Sequence, residues 1–227
     1  MKTAAFILGA FLIYLALCLA VYLMSAIAVD YASFRTDIHF LRFKQAYLPI
    51  RLWRIAFYTH VFSAVLALAA GLTQFSKEVL IRHRRLHRVM GWTYATDILV
   101  VNFPSGIVLA VYANGLLPSK IAFAILDCLW FWFTYQAVSA ARRKNFAAHK
   151  RFMIRSYALT FSAITLRTWK LILGGLFHPD PLSLYMIDAW MGFVPNLLVA
   201  EWLIWWNGKR ALNALSWKKE NTTGQTT

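Results

Sequence analysis

Acidic residues and cysteines are scarce in this 227-residue chain. It contains 9 Asp and Glu against 24 Lys and Arg, for a formal net charge of +15, and 2 cysteines. Cys18 and Cys128 both lie inside apolar runs, so the sequence supports neither a disulfide framework nor a thiolate metal site. The basic residues form short clusters beside apolar runs, which favours anionic lipid headgroups over nucleic acid as their partners.

The common catalytic motifs are also absent. The sequence contains no Gly-rich phosphate loop, no His-Glu-x-x-His helix and no Gly-x-Ser-x-Gly elbow. These absences argue against nucleotide-driven transport and against the common hydrolase mechanisms. The motifs leave open whether the protein is an enzyme.

Apolar residues are abundant. They make up 60% of the chain, and the mean hydropathy is +0.53, whereas soluble domains contain roughly 45–50% apolar residues. They fall into runs of about 20 residues, the length of a helix that crosses roughly 30 Å of hydrocarbon. The pattern predicts an all-α, polytopic transmembrane helical bundle of about six spans in one domain, residues 1–210, followed by a partly disordered cytoplasmic tail, 211–227. The spans are expected near residues 6–28, 52–75, 87–112, 121–140, 151–173 and 184–206.

Positively charged segments predict the orientation of these spans. Lys and Arg cluster at 77–88, 142–151 and 209–219, after the second, fourth and sixth spans. Because short cytoplasmic loops are rich in Lys and Arg, we expect a multi-pass protein of a bacterial inner (plasma) membrane with both termini in the cytoplasm. Two observations oppose parts of this scheme: the 29–51 loop is also basic, and Ser25-Ala26-Ile27-Ala28 leaves cleavage of the first span as an alternative.

Two prolines interrupt predicted spans. Pro104 and Pro195 each lack a backbone donor, which should free the carbonyl four residues earlier and kink the helix. In lipid such carbonyls need new partners, and Asn102 and Asn196 are close enough in sequence to supply them.

Polar side chains within the spans mark candidate sites, because such groups are costly in lipid. Counting about 1.5 Å per residue along each span sorts them into an outer and a cytoplasmic layer. In the outer layer we expect an ion pair between Arg167 and Asp127. The predicted intramembrane polar cluster contains His60, Asn102, Asp127, Arg167, Asp188 and Glu201.

Two predicted helical stripes should face each other. One follows span three through His87, Gly91, Tyr94 and Ile98, and the other follows span five and contains His149, Met153, Ser156, Thr160 and Arg167. Two imidazoles on facing helices are what axial ligation of a haem iron requires.

We therefore hypothesise that His87 and His149 ligate the iron of one haem b, with Tyr94 on the same face and Arg155 offsetting a propionate charge. Two other interpretations stay open. The histidines could belong to a positive cluster that faces lipid headgroups, or, with His83, to a zinc or copper site.

Two motifs resemble the signatures of a family of predicted bacterial membrane proteins of unknown function. They are HRxxGxxY, from His87 to Tyr94, and HxxxMxRSY, from His149 to Tyr157. The resemblance covers about residues 52–205 and implies a membrane location without an activity. A looser likeness to six-helix b-type transmembrane cytochromes implies that His87 and His149 hold haem. The chain departs from the two-haem pattern, because His60 has no partner in the fourth span.

The sequence thus gives three functional hypotheses. The leading one is a haem-b-binding membrane electron-transfer protein that takes electrons from quinol or another small donor. The second is a transporter or binding protein for a small anionic solute, and the third is a non-catalytic membrane assembly subunit. The corresponding expected partners are the lipid bilayer, a quinone or small molecule, and another membrane protein or a second copy of the chain.

Overall fold

The computed structural model describes the backbone of residues 2–223 and the side chains of residue 15, 18–76 and 78–210. The described part is 86% helical and contains no strand, so the all-α prediction is confirmed. The helices are α1 Lys2–Tyr31, α2 Arg51–Gln74, α3 Lys77–Arg82, α4 Arg84–Val111, α5 Leu116–Arg142, α6 Phe146–Thr160, α7 Ser162–Phe177, α8 Pro181–Met191 and α9 Val194–Thr223.

Four segments of the searched residues are long and apolar enough to cross a membrane. They are α2, α4, α5 and the combined segment Pro181–Arg210 formed by α8 and the start of α9. The count of six spans is not confirmed. The first predicted span falls in α1, where many side chains lie outside the described residues, and only Cys18–Tyr31 was found, as a shorter apolar helix. Helix α9 continues through 211–223, which the sequence had assigned to the tail, and residues 224–227 lie outside the described part.

The fifth predicted span, 151–173, is divided into α6 and α7 at Phe161. A helix break inside a bundle leaves a carbonyl without its usual N–H donor. Here the side chain of Asn196 donates to the carbonyl of Ala158 at 3.1 Å and to the hydroxyl of Thr165 at 2.9 Å. Asn196 therefore supplies a hydrogen-bond donor to a carbonyl at the helix break. It also donates to the carbonyl of Gly192 in its own proline-containing segment.

The central helices form an antiparallel bundle with two distinct ends. Helix α4 packs against α2 and α5, and α5 packs along α6. We call the end that carries His87 and His149 the histidine end, and the end that carries residues 32–50 the loop end. Large apolar side chains such as Leu66, Val100 and Leu198 remain exposed on the outside, as expected for helices whose solvent is lipid.

A buried lysine closes the loop end. The ammonium of Lys44 donates to the carbonyl of Tyr112 at 2.5 Å and to the side chain of Asn114 at 2.7 Å. Burial, together with the positive charge of Lys120, lowers the pKa of Lys44 to about 8. The bonds attach the 32–50 segment to the turn between α4 and α5.

Candidate functional site

Helix α4 carries polar side chains along its buried face from one end of the bundle to the other. The first is His87 and the last is Ser105, and the 18 residue steps from one to the other correspond to about 27 Å of helix. This length nearly equals the hydrocarbon thickness of roughly 30 Å. The polar face of α4 therefore reaches across most of the membrane.

Tyr94 is the centre of a buried hydroxyl network. Its side chain is fully buried, and its hydroxyl lies 2.8 Å from that of Ser156 and 2.7 Å from that of Thr160. These bonds join α4 to α6, which confirms that the two predicted stripes face each other here. Helix α5 adds the indole N–H of Trp130, which donates to Thr160 at 3.0 Å, and the hydroxyl of Thr134, 2.7 Å from that of Ser156.

One turn further along α4, the helix widens into a π turn, Asp97–Asn102. The N–H of Phe103 reaches back five residues to the carbonyl of Ile98. Pro104 follows directly. Because proline has no N–H, it cannot donate a helical hydrogen bond, and the π turn is where the helix departs from its regular bonding pattern. The hydroxyl of Ser105 donates to the carbonyl of Val101 at 2.7 Å, so one carbonyl of the π turn finds its donor within α4. The predicted disturbance of the helix at Pro104 is thus a π turn.

The π turn presents a carboxylate in the middle of a membrane-spanning helix. The amide of Asn102 donates to Asp97 at 2.8 Å, and Ser63 of α2 lies beside the same carboxylate. Asp97 is also close enough to Tyr94 for its charge to act on the phenol. The carbonyl oxygen of the Asn102 side chain is buried and has no partner among the described residues.

Helices α2 and α5 bring two more ionisable groups to this region. His60 of α2 lies with its Nδ1 3.4 Å from the hydroxyl of Ser105, a long contact. Asp127 of α5 is buried against Gly106, where an added Cβ would stand 2.5 Å from one carboxylate oxygen. We call Asp97, Asn102, Ser105, His60 and Asp127 the π-turn cluster.

The two signature histidines both lie at the histidine end. His149 lies close enough to His87 for their charges to interact. The Nδ1 of His149 is 2.9 Å from the carbonyl of Ala137, which can only accept, so Nδ1 donates the hydrogen of this bond. The Nδ1 of His87 is buried without a partner among the described residues.

The family model described as predicted membrane protein (DUF2306) matches residues 57–204. The chain belongs to this family. The matched region contains the hydroxyl network, the π-turn cluster and both signature histidines. Comparison with curated proteins and with solved structures finds no match.

The structure separates the remaining predicted site residues from these groups. Arg155 binds Glu201 through two hydrogen bonds, the shorter of them 2.5 Å. The predicted Arg167–Asp127 ion pair is wrong, because no ion pair of the described residues joins them and Arg167 donates to the carbonyl of Ala163 in its own helix. Asp188 is buried in α8, near enough to Lys170 for their charges to attract.

Sequence analysis missed Asp97, the only acidic residue of α4. A carboxylate in the middle of an apolar run is itself a signal of function or of structural pairing. The sequence showed that signal, whereas the pairing with Asn102 five residues away depends on the π turn, since normal helical spacing would favour three or four residues.

Proposed function

We propose that the protein conducts protons across the membrane along the buried face of α4. The observation that carries this proposal is the carboxylate of Asp97, held by Asn102 on a π turn halfway along a membrane-spanning helix. Ionisable groups at this depth are expensive and commonly serve as proton relays, and π turns are frequent at functional sites.

The packing favours a proton over a larger solute. Asp97 is 8% exposed and Asn102 is fully buried, so a hydrated ion or organic anion has little room beside them. A proton needs only a series of groups that can accept it on one side and release it on the other. The two cavities described below both lie at the loop end, away from Asp97.

The relay has one titratable group at each stage. At the histidine end, Nε2 of His149 can accept a proton. The hydroxyls of Tyr94, Ser156 and Thr160 form the next stage, since each can donate one proton while accepting another. The carboxylate of Asp97 takes up the proton and later releases it towards His60, whose two ring nitrogens can exchange roles.

The test is proton flux into liposomes. Purified protein is reconstituted with a trapped pH dye, and a potassium diffusion potential is imposed with valinomycin. Wild-type protein should acidify the lumen faster than protein-free liposomes do. Asp97→Asn keeps the shape and the bond to Asn102 but cannot take up a proton, so the initial rate should fall about tenfold or more.

The matched control is Asp37→Asn, the same chemical change at an exposed loop carboxylate paired with Arg35. It should leave the flux unchanged. Wild-type flux equal to that of empty liposomes, or equal flux in Asp97→Asn and wild type, would show that the proposal is wrong.

A second candidate, haem b binding, is supported by the Nδ1 of His87, which is buried and has no partner among the described residues, and by the presence of His149 at the same end of the bundle. Bound haem would supply one-electron transfer. Axial ligation needs two imidazoles on opposite sides of one iron. The other predicted haem contacts are engaged: Arg155 binds Glu201, and the Tyr94 hydroxyl is bonded inside the bundle.

An optical spectrum of protein purified from haem-replete cells tests this candidate. A Soret band that His87→Ala and His149→Ala each weaken, while His39→Ala at the exposed loop does not, would support it. A colourless wild-type preparation would exclude it without affecting the proton proposal.

A further inference from the structure

A cavity of about 510 Å³ opens at the loop end between α2 and the 32–50 segment. Its lining consists of Phe34, Thr36, Arg54, Ile55, Tyr58 and Thr59. The bonds of Lys44 hold the loop in place beside it. The cavity lies near the first turn of α2, where a membrane-spanning helix leaves the headgroup region.

Arg54 gives this cavity a positive charge that no described acidic residue neutralises. The nearby acidic side chains are already occupied: Asp37 pairs with Arg35 at 2.7 Å, and Asp30 binds His39 at 2.8 Å. An arginine guanidinium is well suited to phosphate, which it can bind through two parallel hydrogen bonds. The hydroxyls of Thr36 and Thr59 add neutral donors to the same lining.

The other wall of the cavity is apolar and continues along the lipid-facing side of α2. The rings of Phe34 and Tyr58 are 5.0 Å apart, and Tyr58 stacks on Phe62 at 6.2 Å. Leu66 follows four residues later and is 57% exposed. Because residues four apart share a helix face, these side chains form a continuous apolar track that leads from the cavity into the membrane.

A second cavity at the same end repeats this arrangement. It has a volume of about 330 Å³ and combines Lys120 with apolar residues of α4 and α5. Lys120, like Arg54, has no ion-pair partner among the described residues. The loop end therefore has two clefts that each place one cation beside an apolar surface.

We infer that the Arg54 cavity binds an anionic phospholipid, with its phosphate at the guanidinium and an acyl chain along Tyr58, Phe62 and Leu66. A soluble anion would use the charge but not the apolar track, and an uncharged amphiphile would use the track but leave the arginine unpaired. A phospholipid uses both. The excess of basic over acidic residues in the chain favours a lipid with a net negative charge.

Native mass spectrometry of the detergent-purified protein tests this inference. The protein is incubated with phosphatidylglycerol or with phosphatidylcholine of the same acyl chains, and the bound lipids are counted. Wild type should retain phosphatidylglycerol preferentially. Arg54→Gln removes the charge at an exposed position and should lower retention about fivefold or more.

Arg85→Gln is the matched control, because Arg85 is an exposed arginine at the histidine end without an ion-pair partner among the described residues. It should leave the tightest phosphatidylglycerol bound. Phe62→Ser should weaken retention while keeping the charge, since it interrupts the apolar track.

Three results would overturn the inference. Equal retention of the two lipids would show that the headgroup charge is not recognised. Unchanged phosphatidylglycerol binding in Arg54→Gln would place the lipid elsewhere. Stabilisation of the wild type against heat by inorganic phosphate alone, as strong as that by phosphatidylglycerol, would show a site for free anions.

Discussion

The groups around Tyr94 and the groups around Asp97, which we call the two halves of the central polar face of α4, differ in how completely their hydrogen bonds are satisfied. Around Tyr94, each hydroxyl lies within 2.7–2.8 Å of another, and Trp130 completes the set. Around Asp97, the Asn102 side chain has an oxygen with no partner in the described part of the chain, and the contact between His60 and Ser105 is 3.4 Å. The first half is built as a tight connection between helices, and the second half contains groups that are costly to bury.

This difference indicates separate roles. A fully paired polar network rigidifies a bundle and fixes how its helices meet. A partly paired cluster with a carboxylate lowers stability, and such local costs are typical of functional sites. Substitutions around Tyr94 should therefore lower the stability more than the proton flux. Substitutions around Asp97 should lower the proton flux more than the stability.

The largest effect on stability is expected from Gly71→Ala in α2, which lies against Tyr157, a neighbour of Tyr94. An added Cβ would stand 2.1 Å from the ring of Tyr157, which is itself held by a bond to the carbonyl of Leu68. Overpacking of this kind costs roughly 1–3 kcal/mol or more. Thermal unfolding in detergent should show a marked fall in Tm, whereas Gly175→Ala, where nothing lies within 4 Å, should not. Equal Tm values for the two variants would contradict the structure at this contact.

A smaller loss is expected from Tyr94→Phe. It removes the hydroxyl that joins Ser156 and Thr160, and interhelical hydrogen bonds in membranes contribute roughly 0.6 kcal/mol on average and up to about 1.7. The Tm should fall, and proton flux should fall less than in Asp97→Asn. Tyr135→Phe, at an exposed position, is the control and should leave both unchanged.

The smallest effect on stability is expected from Asp97→Asn, the variant with the largest effect on flux. Asparagine can still accept the bond from Asn102 and removes a buried acid that has no cationic partner, so the Tm should stay equal or rise. A fall in Tm larger than that of Tyr94→Phe would show that the carboxylate is a structural element and would remove the contrast between the two halves.

Parts of this architecture could be predicted from the sequence alone. The apolar runs near 52–75, 87–112, 121–140 and 184–206 located the four segments that are long and apolar enough to cross a membrane. The helical spacing of Tyr94, Ser156 and Thr160 correctly placed these parts of the two stripes face to face. These features depend on hydropathy and on local helical geometry, which are properties of neighbouring residues.

Other features depended on contacts between distant residues. The expected Arg167–Asp127 ion pair does not form, because Arg167 donates to the carbonyl of Ala163 and Asp127 packs against Gly106. The fifth predicted span is not one continuous helix, because the helix is interrupted at Phe161. The carbonyl of Ala158 at this break accepts a hydrogen bond from Asn196, which is 38 residues away in sequence. The ion pair between Arg155 and Glu201 joins residues that are 46 positions apart in sequence. It could not be predicted from either segment alone.

The sequence by itself determined that this is a helical membrane protein with polar side chains inside its apolar runs, because runs of about 20 apolar residues need lipid as their solvent. Only the tertiary structure decided which of those groups meet. That choice depends on the rotation of each helix and on small residues such as Gly71 and Gly106, since a difference of one Cβ decides whether two side chains can touch.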